Sequence, residues 1–302
     1  MPASDASAGA PPCAPPDFNP RRPRLALPAL ACDCHAHILG PAARYDYSPG
    51  RVYTPPDCLL ADYRKMLAAL GVARAVLVQP SVYGTDNTVM LEAMKTAGSR
   101  FRGVAVVADD VTDDELRKLN DAGVRGVRVN IVDVKNRKPG TLPLAALKAL
   151  ARRVEPLGWH VEFLMHADEF PDIDRAFADF PVDIVLGHLG YMRTDKGVDN
   201  PGFRSLLRLV QAGRCWVKFT GPYRISAQAL PHADVTPFAH ALIAANPERI
   251  VWGSDWPHPQ WTKRMMNDAE EVELLYRYVD GDAALLQKIL VDNPARLHGF
   301  KI

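Results

Sequence analysis

From Leu25 onward the chain alternates short apolar runs with longer stretches in which apolar residues return every three to four positions. A continuous apolar run of about 4–8 residues reads as a strand buried on both faces, and the longer period reads as an amphipathic helix. Strands are predicted at Ala29–Cys34, Ala73–Gln79, Phe101–Val107, Val124–Asn130, Trp159–Met165, Val182–Gly187, Cys215–Phe219 and Ile250–Gly253. Helices are predicted between them near Cys58–Leu70, Asn87–Ala97, Asp113–Ala122, Leu144–Leu157, Phe170–Phe180, Phe203–Gln211 and Val235–Asn246. Two more, near Asp268–Val279 and Asp282–Val291, follow the last strand. Gly71, Gly123 and Gly158 each fall just past a periodic stretch and before an apolar run, where a glycine ends a helix. Eight strands alternating with helices predict an α/β fold, a (β/α)8 TIM barrel. The alternative, an open doubly wound sheet, normally carries a glycine-rich turn after its first strand, and the sequence has no Gly-x-Gly-x-x-Gly.

Composition narrows the class. With 302 residues and 48% hydrophobic positions the chain can bury a large core, and it shows no internal repeat or dividing linker. Residues 1–24 are rich in Pro, Ala and Ser and are expected to form a disordered extension; residues 25–302 form the barrel domain. That extension lacks the basic start and apolar centre of a secretory signal. No apolar run approaches the roughly 20 residues a membrane span needs. A net charge of +1 without a basic stripe gives no sign of a nucleic-acid partner. Five cysteines without zinc-knuckle spacing read as reduced thiols, so a cytoplasmic protein without membrane or nucleic-acid partners is expected.

In a barrel the site lies at the C-terminal ends of the strands, so polar residues there are the candidates. The first strand ends Asp33-Cys34-His35-Ala36-His37, and the two-residue period of a strand puts both imidazoles on one face. The sixth ends Gly187-His188, and the eighth ends Gly253-Ser254-Asp255-Trp256-Pro257-His258. One histidine alone is more often structural. His35, His37, His188 and Asp255 at three strand ends form a set that can coordinate a divalent metal, or polarise a carbonyl while the carboxylate activates water. Arg128 on the fourth strand, beside Asn130, and Arg224 after the seventh suit carboxylate anchoring; rim salt bridges are the bland alternative. Trp159, Trp252 and Trp256 read as packing, and His258 as a residue that orders its loop.

Cys34-His35-Ala36-His37, Tyr53-Thr54-Pro55, Gly123-Val124-Arg125-Gly126-Val127-Arg128, Gly187-His188, Trp252 through Pro259 and Asp292-Asn293-Pro294 carry a resemblance. From about Leu25 to the C-terminus the chain resembles the amidohydrolase superfamily, and within it the 2-pyrone-4,6-dicarboxylate lactonase subgroup. The segment Trp216 through Asp255 is similar to the D-galactarolactone isomerases as well, but those replace the strand-eight aspartate and lose part of the first histidine pair. The resemblance implies a hydrolase that opens a small carboxylate-bearing lactone, in breakdown of aromatic or sugar acids. It implies Asp255 as general base, His35, His37 and His188 around the lactone carbonyl, and Tyr53, Ser81, Arg128 and Arg224 as substrate contacts.

It also implies catalysis without a required cofactor, since the lactonases work without metal. A single zinc held by His35, His37, His166 and Asp255 is the other expectation, because a strand-five histidine ligates metal in many amidohydrolases. Glu162 lies on that same strand, and strand four offers no lysine or glutamate to bridge two ions. A lactone isomerase, a metal-dependent decarboxylase of the same superfamily and a barrel that only binds are the competing readings. One departure bears on substrate. The lactonase pattern has a second arginine a few residues after Arg128, where this chain reads Ile131-Val132-Asp133-Val134. Lys135 and Arg137 are the nearby cations that stand as replacements. Without one, a substrate with a single carboxylate, or with its second anion placed differently, is expected.

Overall fold

The computed structural model describes residues 9–132 and 137–301. Eight parallel strands pair in sequence order: β1 (Cys32–Ala36), β2 (Arg74–Val78), β3 (Phe101–Ala105), β4 (Val124–Asn130), β5 (His160–Leu164), β6 (Ile184–Leu186), β7 (Cys215–Phe219) and β8 (Ile250–Trp252). The first and last are joined by a bridge between Ala36 and Trp256, which closes the sheet into a barrel. Helices α1 (Leu60–Leu70), α2 (Thr88–Ala97), α3 (Asp113–Asp121), α4 (Leu144–Val154), α5 (Ile173–Ala176), α6 (Pro201–Gln211), α7 (Thr236–Ala245) and α8 (Asp268–Tyr278) follow the strands in turn. The chain ends with α9 (Ala283–Gln287) and α10 (Asn293–His298). Among the described residues no helix is long and apolar enough to cross a membrane.

The strands are short because both faces must be apolar, and the two faces fill two cores. Cys32, Cys34, Val76, Val78, Val104, Val185, Trp216 and Val251 point inward and pack with Ala295 and Phe300 at the floor. The opposite faces meet the helices, where Tyr63, Phe163, Phe177, Phe203 and Trp256 are buried. Local signals begin the helices where the pattern does. Thr112 accepts a hydrogen bond from the Glu115 amide while the Glu115 carboxylate accepts from the Thr112 amide, starting α3. At α8 the Asn267 side chain accepts from the Ala269 amide while the Glu270 carboxylate accepts from the Asn267 amide.

Three stretches differ from the sequence expectation. The predicted helix over Phe170–Phe180 is one turn, where Asp174 is drawn to Ser205 and Arg208 of α6, while Phe177 and Phe180 pack together on Phe163 of β5. The predicted helix over Asp282–Val291 widens into a π-turn at Lys288–Asp292 and runs on into α10. In the N-terminal extension, residues 1–8 lie outside the described residues, while residues 9–24 are tied to the barrel. The Cys13 amide donates to Thr54 O at 2.8 Å, and Asn267 Nδ2 donates to Asp17 Oδ2 at 2.8 Å. A proline-rich segment cannot form a core of its own, but loops can satisfy its backbone carbonyls.

Candidate active site

The seam between β1 and β8 builds the centre. The Asp255 amide donates to His35 O and the His37 amide donates to Trp256 O, each at 2.8 Å, so the residues that close the barrel also carry the candidate chemistry. Only glycine permits so close an approach at position 253, since a Cβ there would lie 2.6 Å from His35 Cβ. On the outer face Asp33 clamps the seam, accepting from Tyr63 Oη (2.9 Å), Ser254 Oγ (2.5 Å) and the amides of His35 and Ser254. Strict alternation would turn His35 outward beside Asp33, but the ladder shifts register between Asp33 and Ala36 and re-aims it inward.

The three imidazoles converge, with the His35 ring 5.0 Å from His37 and 5.4 Å from His188. His37 Nδ1 meets Val78 O at 2.7 Å and His188 Nδ1 meets Thr220 O at 3.1 Å. A carbonyl only accepts, so both Nδ1 atoms carry the hydrogen. His35 Nδ1 faces the Glu162 carboxylate, with Oε1 at 3.3 Å. Burial pushes His37 down to about 4 and His188 to about 3, and drives His35 well below the usual imidazole range. Neutral rings with Nδ1–H turn bare Nε2 lone pairs inward. Polarisation of a carbonyl by this trio therefore passes through whatever those Nε2 atoms hold. Beneath them Lys218 Nζ donates to Glu162 Oε2 (2.6 Å) and to Cys34 O (2.7 Å), a buried ion pair that supports His35 from inside the barrel.

Asp255 Oδ1 stands 3.7 Å from His35 Nε2 and 4.0 Å from His37 Nε2. Its other oxygen accepts from Tyr223 Oη at 2.5 Å and Arg224 Nε at 2.6 Å. Burial raises the affinity of this carboxyl for a proton, but the Arg224 guanidinium overcomes it and holds Asp255 well below the usual carboxylate range. Gly221 gives that oxygen room: a Cβ there would sit 2.9 Å from Asp255 Oδ2, and its φ of 52° is one a side chain rarely adopts. Above the cluster opens a small pocket lined by residues that include His37, Tyr53, Ser81, Arg128, Asn130, Tyr191 and Gln260.

The amidohydrolase family profile matches residues 32–300. A 2-pyrone-4,6-dicarboxylate hydrolase from Comamonas testosteroni is 37% identical over 93% of this chain and 93% of its own. The chain belongs to the amidohydrolase family. A 4-sulfomuconolactone hydrolase from Rhizobium radiobacter is also 37% identical, over 97% of both chains. The crystal structure of a probable 2-pyrone-4,6-dicarboxylic acid hydrolase from Acinetobacter baumannii, solved with citric acid bound, superposes with a TM-score of 0.79 at 27% identity. It covers 90% of this chain and 100% of that one.

Within this amidohydrolase barrel His35, His37, His188 and Asp255 come together, and Tyr53, Ser81, Arg128 and Arg224 line one pocket with His37, His188 and Asp255. The structure changes the expected duties of several residues. His166, expected among metal ligands, stacks on Tyr191 and holds Tyr191 O through Nδ1 at 2.7 Å. His35, His188 and Asp255 instead bring one ligand atom each within 4.8 Å of one another, a set that could hold a metal ion. Three donors, two of them imidazole lone pairs fixed by outer acceptors, fit a single divalent cation. Arg224 is bound to Asp255 and to Pro259 O (2.9 Å). Arg137 pairs with Glu169 at 2.5 Å and donates to Ile131 O, while Asp133, Val134 and Lys135 lie outside the described residues. Tyr223 and Lys218 escaped the sequence reading. A lysine on the inward period of an apolar strand was the available signal for Lys218; nothing local marks Tyr223.

Proposed function

We propose that this amidohydrolase opens a small anionic lactone by hydrolysis. The observation that carries the reading is Asp255 Oδ1, facing inward-turned imidazoles at the base of an arginine-walled pocket. Relatives named for hydrolysis of 2-pyrone-4,6-dicarboxylate and 4-sulfomuconolactone, matched over nearly the whole chain, support it.

Asp255 Oδ1 is the atom that takes the proton, because Oδ2 already accepts from Tyr223 and Arg224. A water positioned between Oδ1 and the lactone loses its proton to Asp255 as its oxygen bonds to the carbonyl carbon. When the ring C–O bond breaks, Asp255 passes that proton to the leaving oxygen and returns to its ionised form. His35, His37 and His188 keep their Nε2 atoms aimed at the reacting group, oriented by Glu162, Val78 and Thr220. A divalent cation bound by His35, His188 and Asp255 would supply Lewis-acid polarisation of the carbonyl.

The substrate anion is recognised by Arg128. Among the described residues lining the pocket, Arg128 and Arg224 are the cations, and Arg224 is already neutralised by Asp255. Arg128 is held by Gln79 O at 3.0 Å. One guanidinium anchors one carboxylate well. Among the described residues no second free cation lines the pocket, and a second carboxylate left without one costs about 3–5 kcal/mol, or roughly two to three decades of affinity. Steady-state kinetics with 4-sulfomuconolactone, monocarboxylated lactones and 2-pyrone-4,6-dicarboxylate tests this. The reading expects ring-opened acids without carbon dioxide release, and the lowest kcat/KM for the pyrone dicarboxylate. An isomerised lactone or released carbon dioxide overturns the reaction class, and efficient pyrone dicarboxylate turnover overturns the anchoring argument.

A further inference from the structure

Behind Asp255, on the side away from the pocket, three buried residues form a chain that lactone chemistry does not touch. Tyr223 Oη donates its hydrogen to Asp255 Oδ2 at 2.5 Å, which leaves the phenol oxygen only as an acceptor. His258 Nδ1 lies 3.0 Å from that oxygen and must therefore be the donor. His258 Nε2 in turn faces Asp268 Oδ1 at 3.3 Å, at the first turn of α8. The exposures are 2% for Tyr223, 0% for His258 and 1% for Asp268, and none of the three lines the pocket. Neither Asp268 oxygen nor His258 Nε2 has a hydrogen-bond partner, so this approach is a close contact rather than a hydrogen bond.

The backbone is bent to make this arrangement. Asp255 and His258 hold φ of 62° and 59°, a region non-glycine residues occupy at a cost, and the His258 amide donates to Asp255 O at 2.7 Å. One tight turn thus sends Asp255 forward to the pocket and His258 backward to α8. The need is geometric. Arg224 beside Asp255 offers a planar fork that favours engaging both carboxylate oxygens. Tyr223 shares Oδ2 with Arg224 Nε and keeps the carboxylate turned so that Oδ1 stays toward the imidazoles.

We propose that Tyr223 and His258 are positioning residues that set the rotation of the Asp255 carboxylate, His258 acting through the Tyr223 hydroxyl. The proposal rests on Asp255 as the base of lactone hydrolysis, and its test separates the two. With 4-sulfomuconolactone as substrate, Tyr223→Phe lowers kcat at least tenfold while KM changes less than about twofold. His258→Phe falls to the same level, and the double variant falls no further, since both changes remove one interaction. His258→Asn, whose amide nitrogen can stand in for Nδ1, recovers most of kcat. Losses that multiply in the double variant, or a normal kcat in Tyr223→Phe, overturn the proposal. Where His258→Phe does not fold, Tyr223→Phe and His258→Asn decide by the same criteria. Crystal structures give a readout that needs no substrate: in Tyr223→Phe the Asp255 carboxylate turns toward the Arg224 fork, and an unmoved carboxylate overturns the proposal. If the wild-type protein opens no lactone, the functional reading fails and the crystallographic comparison still judges the positioning chain.

Discussion

His35, His37 and His188 at the mouth of the barrel share deep burial with His160 and His298 at its floor, yet the two groups are built differently. At the floor the rings lie 5.2 Å apart, and none of their four nitrogens has a hydrogen-bond partner. Burial pushes His160 down to about 4 and His298 well below the usual range, much as it does at the mouth. A depressed imidazole therefore does not mark a site. The mouth differs because the Nδ1 atoms of His37 and His188 meet fixed carbonyl acceptors and the Nε2 atoms of His35 and His37 close on one carboxylate oxygen. Orientation toward a shared centre separates chemistry from packing.

Substitutions at the two ends should part accordingly. Asp255→Asn keeps the shape and removes the proton acceptor, so kcat should fall about 10²–10⁴-fold with an unchanged melting curve. Near-normal turnover would remove Asp255 as the base. Arg128→Met should lower kcat/KM by about two to three decades, mostly through KM, because the substrate anion loses its cation. A change confined to kcat would place Arg128 outside substrate anchoring.

Chelator-stripped protein should bind one equivalent of zinc. At a hundredfold excess over Kd the stabilisation is about 2.7 kcal/mol, read as a rise in Tm. His188→Asn should abolish that rise and His160→Leu should leave it intact. Zinc without effect on the wild-type Tm would show that the converging Nε2 atoms do not hold a cation.

The smallest effect belongs to the floor. His160 is neutral when folded and about 4 is its folded pKa, whereas an unfolded histidine titrates near 6.5. As pH falls below 6.5 the unfolded chain takes up protons that the folded one refuses, so stability is present above 6.5 and lost toward 4. Each such group contributes a slope of about 1.4 kcal/mol per pH unit. His160→Leu should flatten the acid limb of urea-unfolding stability between pH 7 and 5 and leave kcat unchanged. An unaltered slope would deny the floor histidine its neutral, buried state.

The alternation that made the barrel legible is the physical requirement of a parallel sheet covered on both faces, and all eight strands lie where apolar runs placed them. The Phe170–Phe180 stretch failed because its buried phenylalanines do not need a continuous helix to be covered: Phe177 and Phe180 pack together on Phe163 beyond a single helical turn. At the site, strand-end position was enough to gather His35, His37, His188 and Asp255. It could not show that a register shift re-aims His35, nor that Arg224 turns to Asp255. Tyr223 and His258 depend on loop geometry after β7 and β8, where periodicity carries no information.

The most direct test of lactone hydrolysis at Asp255 is the turnover of 4-sulfomuconolactone in ¹⁸O-labelled water by the wild-type protein and by Asp255→Asn. The account predicts one labelled oxygen in the new carboxylate of a ring-opened product from the wild type, and almost no product from the variant. An unlabelled isomer from the wild type, or labelled product formed equally fast by Asp255→Asn, would contradict it.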